Sequence, residues 1–257
     1  MNIYPSLEGK TYVVMGVINQ RSIAWGIARA LDAAGASLAF TYVGERFKAP
    51  LEKLGQELSR PATYYTCDVT SDEEINQVFQ TIHADHGKIS GIAHSIAFAD
   101  KEALRGEFSD VTREQFAQAL DISAFSLTAV VKAAKDFFTE DASVITLTYL
   151  GGEKMVPNYN VMGVAKAALD ASVRYLAAEY GKQGVRVNAI SAGPIRTVSA
   201  KGVGDFNSIL ESIEERAPLH RNVTTEQIGH SGLFLLSQMS SGVTGEILHV
   251  DSGFHIL

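Results

Sequence analysis

Residues 144–149 read Val-Ile-Thr-Leu-Thr-Tyr, and residues 158–166 read Asn-Tyr-Asn-Val-Met-Gly-Val-Ala-Lys. The first run is apolar and β-branched, which predicts a buried strand. The second opens a segment of helical composition that we expect to end near Tyr180. Another apolar run, residues 185–190, predicts a further strand. The resulting strand–helix–strand order is typical of an α/β protein with a parallel sheet.

Tyr159 and Lys166 are the candidate reactive pair within this stretch. They lie seven residues apart. Because seven helical steps miss two full turns by only about 20°, we expect both side chains to leave the same face of the helix. A phenol and an ammonium directed into one cleft provide a proton donor and a cation that can anchor hydroxyl groups.

The remaining chain repeats this alternation. Strands are predicted over residues 11–16, 36–43, 62–67, 91–95, 144–149, 185–190 and 246–251, each followed by a helical or loop segment. Seven strands alternating with helices predict a doubly wound Rossmann-type α/β fold, in which a seven-stranded parallel sheet is flanked by helices. No linker-like tract divides the chain, so we expect residues 1–257 to form a single domain.

Composition narrows the functional classes. Of 257 residues, 46% are hydrophobic and 20% are charged, as in a soluble globular protein. No run approaches 18 apolar residues, and the N-terminus lacks a basic patch followed by an apolar core, so we predict neither a membrane span nor a signal peptide. The single cysteine, Cys67, suits the cytosol. A net charge of −7 disfavours nucleic-acid binding.

The first strand and the helix after it form a candidate phosphate site. Gly16 ends the strand, and Ser22 is a candidate N-cap of a helix reaching Ala34. A strand, a glycine turn and a helix N-terminus together favour an anion. Only Gly16 and Gly26 of the dinucleotide fingerprint are present, so an ordinary βα turn remains an alternative at this point.

The ends of the second and third strands bear on the cofactor. Residues 43–46, Val-Gly-Glu-Arg, offer neither a lone acid nor a basic cluster, and we favour NADH, with NADPH as the alternative. Asp68 is a candidate acceptor for an adenine amino group, or else a helix cap.

His83 and His86 share a helix face but lack a third ligand at suitable spacing, so we predict no metal site.

Two helices point to self-association. The helix opened by the capping box Thr112-x-x-Gln115 is apolar on more than one side as far as Phe138, and the helix after Tyr159 is rich in alanine. A partner subunit would bury the extra apolar surface, and a covering loop is the alternative.

Residues 198–205 contain glycine and few large apolar groups, which favours a mobile lid.

Several blocks taken together resemble a known family. The chain resembles the short-chain dehydrogenase/reductase superfamily, and within it the bacterial enoyl-acyl-carrier-protein reductases, over nearly its full length. The matching blocks are Gly16 with residues 21–24, and residues 67–69, 94–99, 149–152, 158–166, 186–197 and 249–254.

Two departures from the ordinary superfamily pattern bear on the reaction. That pattern has tyrosine four residues before the lysine and a serine at the end of the preceding strand. Here Met162 and Tyr149 occupy those places. In this chain the phenol lies seven residues before the lysine instead of four. At that position it is better placed to reach the oxygen of a conjugated thioester than the oxygen of a carbonyl group whose carbon itself receives the hydride. The alternatives are a 3-oxoacyl or other carbonyl reductase, and a dinucleotide-binding module without turnover.

The resemblance implies a site and its partners. It assigns catalysis to Tyr149, Tyr159 and Lys166, with Lys166 also holding the nicotinamide ribose. It implies NADH as cofactor, an enoyl thioester on acyl carrier protein as substrate, a homotetramer, and a cytoplasmic location. No compact basic cluster marks where the acidic carrier would dock. Ala99 would line the substrate entrance, and the residues implied in dinucleotide contact are Gly16, Ser22, Ile23, Asp68, Val69, Ile96, Lys166, Ile195, Arg196, Thr197, Val198 and Ser199.

Overall fold

The computed structural model describes residues 5–197 and 206–257. Its seven strands form one sheet in the order β3-β2-β1-β4-β5-β6-β7, and every neighbouring pair is parallel. The predicted doubly wound Rossmann-type sheet is therefore confirmed. The strands are β1 Thr11–Met15, β2 Ser37–Tyr42, β3 Thr63–Thr66, β4 Ile89–His94, β5 Phe138–Thr148, β6 Arg186–Ala192 and β7 Ile247–Val250.

Helices cover both faces of the sheet. One face packs against α3, α5 and α6, around residues such as Phe79, Leu127 and Leu169. The other packs against α1 and α8, around residues such as Ile27 and Leu235. The helices are α1 Ile23–Ala33, α2 Lys48–Gly55, α3 Asp72–His86, α4 Arg113–Leu120, α5 Ser126–Ala134, α6 Asn160–Tyr180, α7 Phe206–Arg216 and α8 Thr225–Leu236.

The helix predicted over residues 112–138 is interrupted. The Thr112–Gln115 capping box is present at its start, but a π-turn, Asp121–Phe125, separates α4 from α5. The Ser123 hydroxyl accepts from the Phe98 N–H and donates to the Phe98 carbonyl oxygen, each at 2.9 Å. The wider turn thus presents a buried serine to the loop after β4, and π-turns often mark functional positions.

The segment Arg113–Phe137, taken across α4, the π-turn and α5, is long and apolar enough, by length and composition, to cross a membrane. The core helix of a globular protein meets the same criterion. Here Leu127, Val130 and Val131 are fully buried against the sheet, whereas Phe116 and Phe125 are exposed. The apolar character of this segment is therefore explained in large part by the core.

Candidate active site

The strand order reverses between β1 and β4, and the loops that leave these two strands touch. The Ser95 N–H donates to the Met15 carbonyl oxygen at 3.2 Å. Gly16 has φ +90°, and a Cβ there would collide with the Ser95 carbonyl oxygen. Only glycine suits this position, because it combines a left-handed backbone with a close approach. Ligands of open α/β sheets bind at such a switch point, outside the carboxyl ends of the strands.

Ser22 precedes α1, but its side chain does not cap that helix. Its Oγ accepts from the backbone N–H groups of Ile18 and Asn19, at 3.0 and 3.2 Å. The hydroxyl therefore holds the β1–α1 loop, and no side chain caps the first turn of α1. Free N–H groups together with the helix dipole make this end of α1 suitable for a phosphate.

Gly26 lies away from that turn. A Cβ at Gly26 would collide with the carbonyl oxygen of Thr225, the first residue of α8. Its small size therefore serves the crossing of α1 and α8. Only Gly16 of the two fingerprint glycines lies at the phosphate turn.

Tyr159 occupies the N-cap position of α6, one residue before the helix begins. The two residues beside it, Asn158 and Asn160, have φ angles of +62° and +37°. Positive φ is uncommon outside glycine, and asparagine adopts it more readily than most residues. The Asn-Tyr-Asn sequence thus allows a sharp entry into α6 that sets the direction of the phenol.

Tyr149 follows β5 and packs against Tyr159. The ring centroids are 5.0 Å apart and the planes meet at 71°, an edge-to-face pair. Gly151, in the turn after Tyr149, leaves room for this arrangement, because a Cβ there would overlap the Tyr159 ring. The turn and the helix start therefore place two phenols side by side.

Lys166 is only 6% exposed, and its Nζ donates to the Leu147 carbonyl oxygen at 2.6 Å. Burial lowers the pKa of Lys166 to about 8, and the nearby Asp170 opposes that shift. An ammonium has three N–H donors, so two remain after this bond. They are the donors that the site offers to ligand hydroxyls.

Burial is the first cause of a raised pKa at both tyrosines. At Tyr159 the neighbouring Tyr149 and Asp170 add to it, and at Tyr149 the carboxylate of Asp251 adds to it. Both phenols are therefore protonated at neutral pH and act as hydrogen-bond donors. The imidazole of His94, buried beside Lys166, has a pKa lowered to about 3, mainly by burial, and is neutral.

The residues predicted at the adenosine end form a turn after β3. Asp68 Oδ1 accepts from the Thr70 N–H and hydroxyl, at 2.9 and 2.8 Å. The side-chain cap of α3 is Ser71, so Asp68 does not cap that helix. Asp68 and Val69 are half-buried, and the latter packs against the core.

The other predicted contact residues lie after β4 and β6. Ile96 and Ala99 are half-buried in the loop held by Ser123. After β6, Ile195 is half-buried and exposed Arg196 donates from Nη1 to Asn207 Oδ1 of α7 at 2.6 Å. Thr197 follows, whereas Val198, Ser199 and the predicted lid over residues 198–205 lie outside the described residues.

A cavity of about 430 Å³ lies between the loop after β6 and α7. Its walls include Pro194, Ile195 and Arg196 on one side and Leu210 and Glu214 on the other. Tyr149, Tyr159 and Lys166 do not line it. The cavity therefore adjoins the loop of the site rather than the phenols.

Within residues 5–197 and 206–257, no three His, Cys, Asp or Glu side chains form a group that could hold a metal ion.

Sequence reasoning did not single out Asp170, which is buried near Lys166. The two residues are four positions apart on α6, so the spacing that paired Tyr159 with Lys166 was also available to find the carboxylate. It did not single out Ser123 either, whose role depends on a contact 25 residues away in the sequence.

Comparison with known proteins identifies the family. A family model described as "Enoyl-(Acyl carrier protein) reductase" matches residues 16–255. The enoyl-[acyl-carrier-protein] reductase [NADH] of Bacillus cereus is 60% identical over 252 residues, covering 98% of each chain. The corresponding [NADPH] enzyme of Staphylococcus aureus is 57% identical, covering 98% of this chain and 99% of its own.

Two solved structures show the same fold. The Bacillus cereus enoyl-acyl carrier protein reductase with NADP⁺ and indole naphthyridinone superimposes with a TM-score of 0.97, covering 98% of this chain and 99% of that one. The Anaplasma phagocytophilum enoyl-(acyl-carrier-protein) reductase in complex with NAD, 42% identical, superimposes with a TM-score of 0.93, covering 100% of this chain and 96% of that one. The chain belongs to the enoyl-(acyl carrier protein) reductase family, a branch of the short-chain dehydrogenase/reductase superfamily.

Proposed function

We propose that the chain reduces the trans-2 double bond of an enoyl thioester carried by acyl carrier protein, with NADH as reductant, and that Tyr159, Lys166 and Tyr149 carry out the reaction. This is the last reductive step of fatty acid elongation. The observation that carries the proposal is the arrangement after β5, where a buried ammonium and two packed phenols lie at the ligand-binding edge of the sheet.

The residues present fit a dinucleotide. A Cβ at Gly16 would fill the turn between β1 and β4, and no side chain caps the start of α1. Three exposed apolar side chains, Ile18, Val43 and Phe98, follow β1, β2 and β4. An apolar surface on the loops of a switch point is suited to a stacked ring system. When bound, the reduced nicotinamide supplies hydride to the β-carbon of the enoyl group.

Tyr159 acts where charge develops. Addition of hydride to the β-carbon breaks the double bond and moves negative charge onto the thioester oxygen, and a proton taken up at the α-carbon, ultimately from water, then completes the saturated product. A protonated phenol donates a hydrogen bond to that oxygen and so stabilises the transition state. The raised pKa of Tyr159 keeps its proton in place until the oxygen becomes basic.

Lys166 orients the ribose of the nicotinamide nucleotide through its two remaining N–H donors. Its positive charge also favours the developing anion. Tyr149 shapes the acyl site, because its ring borders that of Tyr159 edge to face. Its own phenol is the second proton donor within the pair.

The dinucleotide contacts are proposed at the loops after β1, β3, β4 and β6. Ala99, beyond the last of the β4 contacts, is proposed at the substrate entrance. The residues assigned to the dinucleotide are Gly16, Ser22, Ile23, Asp68, Val69, Ile96, Lys166, Ile195, Arg196, Thr197, Val198 and Ser199.

The preference for NADH is proposed from the end of β2. The Arg46 guanidinium lies over the Phe47 ring, 4.7 Å from its centroid, and Tyr42 Oη donates to Glu45 at 3.5 Å. An arginine engaged in this way is not directed at a ribose phosphate. We expect kcat/KM to be higher for NADH than for NADPH in assays that differ only in the nucleotide. The reverse ranking would assign Arg46 to the 2′-phosphate.

A homotetramer is proposed from uncovered apolar surface. Phe116 and Phe125 are 37% and 54% exposed beside the π-turn, and Tyr175 on α6 is 78% exposed. Light scattering after gel filtration is expected to give four times the chain mass. Phe125→Ser should shift the distribution to smaller species. A monomer at all protein concentrations would refute the tetramer.

Further proposals concern the domain and location. One sheet takes strands from Thr11 to Val250, which supports a single domain over residues 1–257. A cytoplasmic location is supported by the lone buried thiol of Cys67 and by the intracellular origin of acyl-carrier substrates.

The test of the proposed reaction is Tyr159→Phe. Loss of the phenol hydroxyl should lower the rate of crotonyl-thioester reduction by roughly 10²–10⁴-fold, the range for a positioned acid. The decrease of reduced-nicotinamide absorbance measures the rate. Tyr175→Phe is the matched control, since it removes a hydroxyl from the exposed face of the same helix. Equal rates for the two variants would exclude Tyr159 from the chemistry.

A further inference from the structure

A second buried ionisable group lies on α6 one turn beyond Lys166. Asp170 is 5% exposed and Lys166 is 6% exposed. Side chains four residues apart on a helix are neighbours. A buried ammonium without a compensating charge is unfavourable, and an opposite charge on the same helix face supplies that compensation.

The surroundings of Asp170 provide little other compensation. Thr148, the last residue of β5, and Gly152, in the turn after it, pack around the carboxyl group. A Cβ at Gly152 would lie 2.8 Å from Asp170 Oδ2. Asp170 Oδ1 and Thr148 Oγ1 are fully buried, and neither makes a hydrogen bond of regular geometry among the described residues, although the Thr148 hydroxyl is close enough to interact with the carboxyl group. A buried carboxylate oxygen without a well-formed hydrogen bond is rare enough in native proteins to require a reason.

The charges around the pair are few. Burial raises the pKa of Asp170. The Thr148 hydroxyl, through a hydrogen-bonding interaction, and the charge of Lys166 oppose that shift, while Glu153 adds to it and Arg174 opposes it. The same carboxylate opposes the lowering of the pKa of Lys166 and adds to the raised pKa of Tyr159. The neutral His94 is another titratable group close to the ammonium. Asp170 is thus the carboxylate electrostatically linked to both residues of the proposed reaction.

We propose that Asp170 is a positioning residue whose charge, acting at longer range than a direct ion pair, keeps Lys166 in its ammonium form beside the Leu147 carbonyl oxygen, ready for the dinucleotide. This inference rests on the proposed role of Lys166 in cofactor binding. Asp170 itself needs no contact with substrate or cofactor.

The first test is Asp170→Asn, which preserves shape and removes the charge. We expect the alkaline limb of kcat/KM for NADH to move to lower pH by about one unit or more, since a neighbouring opposite charge shifts a pKa by about 1–3 units. Activity at pH 6 should return towards that of the parent protein. Asp170→Glu, which restores the charge, should return the limb towards higher pH.

Asp32→Asn is the matched control. Asp32 is a buried carboxylate on α1 that accepts from the Ser59 N–H and hydroxyl, at 2.9 and 2.7 Å. Its loss should lower the melting temperature without moving the pH limb. A purely structural Asp170 would behave in the same way, and that result would overturn the proposal.

A double-mutant cycle distinguishes a failure of this inference from a failure of the proposed function. It also gives a result if one of the single variants folds poorly. In a Lys166→Met background, Asp170→Asn should cause no further loss of activity, and the double variant should melt at a higher temperature than Lys166→Met alone. Full activity of Lys166→Met would refute the role of Lys166, while the melting temperatures would still measure the coupling. Additive losses across the cycle would overturn the role of Asp170.

Discussion

Lys166 and Arg186 are both buried cations, and they serve opposite edges of the same sheet. Arg186 opens β6 and is 7% exposed. Its guanidinium donates to the carbonyl oxygens of Leu235 and Ser237, each at 2.9 Å, and to Ser240 Oγ at 2.7 Å. Among the residues that the structure describes, Lys166 has one such partner, the Leu147 carbonyl oxygen.

The difference lies in how many donors are already used. At the amino edge the planar guanidinium joins the end of α8 to the sheet, and the planar fork suits several fixed carbonyl groups at once. At the carboxyl edge the ammonium keeps two donors and carries a pKa lowered to about 8 by burial. A buried cation with its donors satisfied stabilises the fold, whereas one with spare donors is available to a ligand.

Among the changes that test this comparison of the two cations, the largest effect should come from Lys166→Met. We expect kcat/KM for NADH to fall by about 10²–10³-fold, the usual cost of removing one preorganised donor. Thermal stability should stay the same or rise, because burying the ammonium is unfavourable. Lys182→Met, at an exposed site after α6, is the control for loss of charge. If Lys166→Met lowered the melting temperature but left kcat/KM unchanged, Lys166 would have the structural role that we assign to Arg186.

Arg186→Met should have the reverse profile. We expect the free energy of unfolding to fall by about 2–4 kcal/mol, because several charge-assisted hydrogen bonds are lost and some desolvation is recovered. Urea titration gives this value, and kcat/KM of the folded fraction should match that of the parent. An inactive but equally stable variant would contradict the comparison.

The pH dependence should reflect Lys166 alone among the two cations. Above about pH 8 the ammonium loses its proton, so kcat/KM for NADH should fall by up to about tenfold per pH unit. Stability should move the other way. The unfolded chain binds this proton up to pH 10.5, so the unfavourable contribution of Lys166 burial is full below about pH 8 and diminishes between pH 8 and 10.5. Lys166→Arg should remove the alkaline limb, and a limb unchanged by that substitution would belong to another group.

The smallest effect should come from Tyr12→Phe, at the same edge as Arg186. Tyr12 Oη donates to the Leu236 carbonyl oxygen at 3.2 Å in a buried site. Loss of one neutral hydrogen bond should lower the free energy of unfolding by about 1 kcal/mol, with kcat/KM unchanged. The urea midpoints of the parent and the variant test this. A midpoint shift as large as that of Arg186→Met would mean that the Tyr12 hydroxyl stabilises the amino edge of the sheet as strongly as the guanidinium does.

Local patterns predicted most of the fold. The capping box Thr112–Gln115 marked the start of α4, and the apolar runs marked the strands. The prediction was wrong at the start of β5, which begins at Phe138 rather than near residue 144. The helix was predicted to continue as far as Phe138, but Phe138 already pairs with Ile89 of β4. Pairing with a distant strand overrides local preference, and no short window of sequence contains that information.

The alternation of apolar runs, the glycine that ends β1 and the seven-residue spacing of Tyr159 and Lys166 were determined by the sequence itself, because each depends on the local geometry of a strand, turn or helix. Tertiary structure alone decided that Ser22 holds a loop rather than caps a helix, that Gly151 makes room for Tyr159, and that Asp170 is buried beside Lys166. These features arise where separate elements meet. Burial, which determines the charge state of each ionisable group, exists only once the sheet and its helices have packed together.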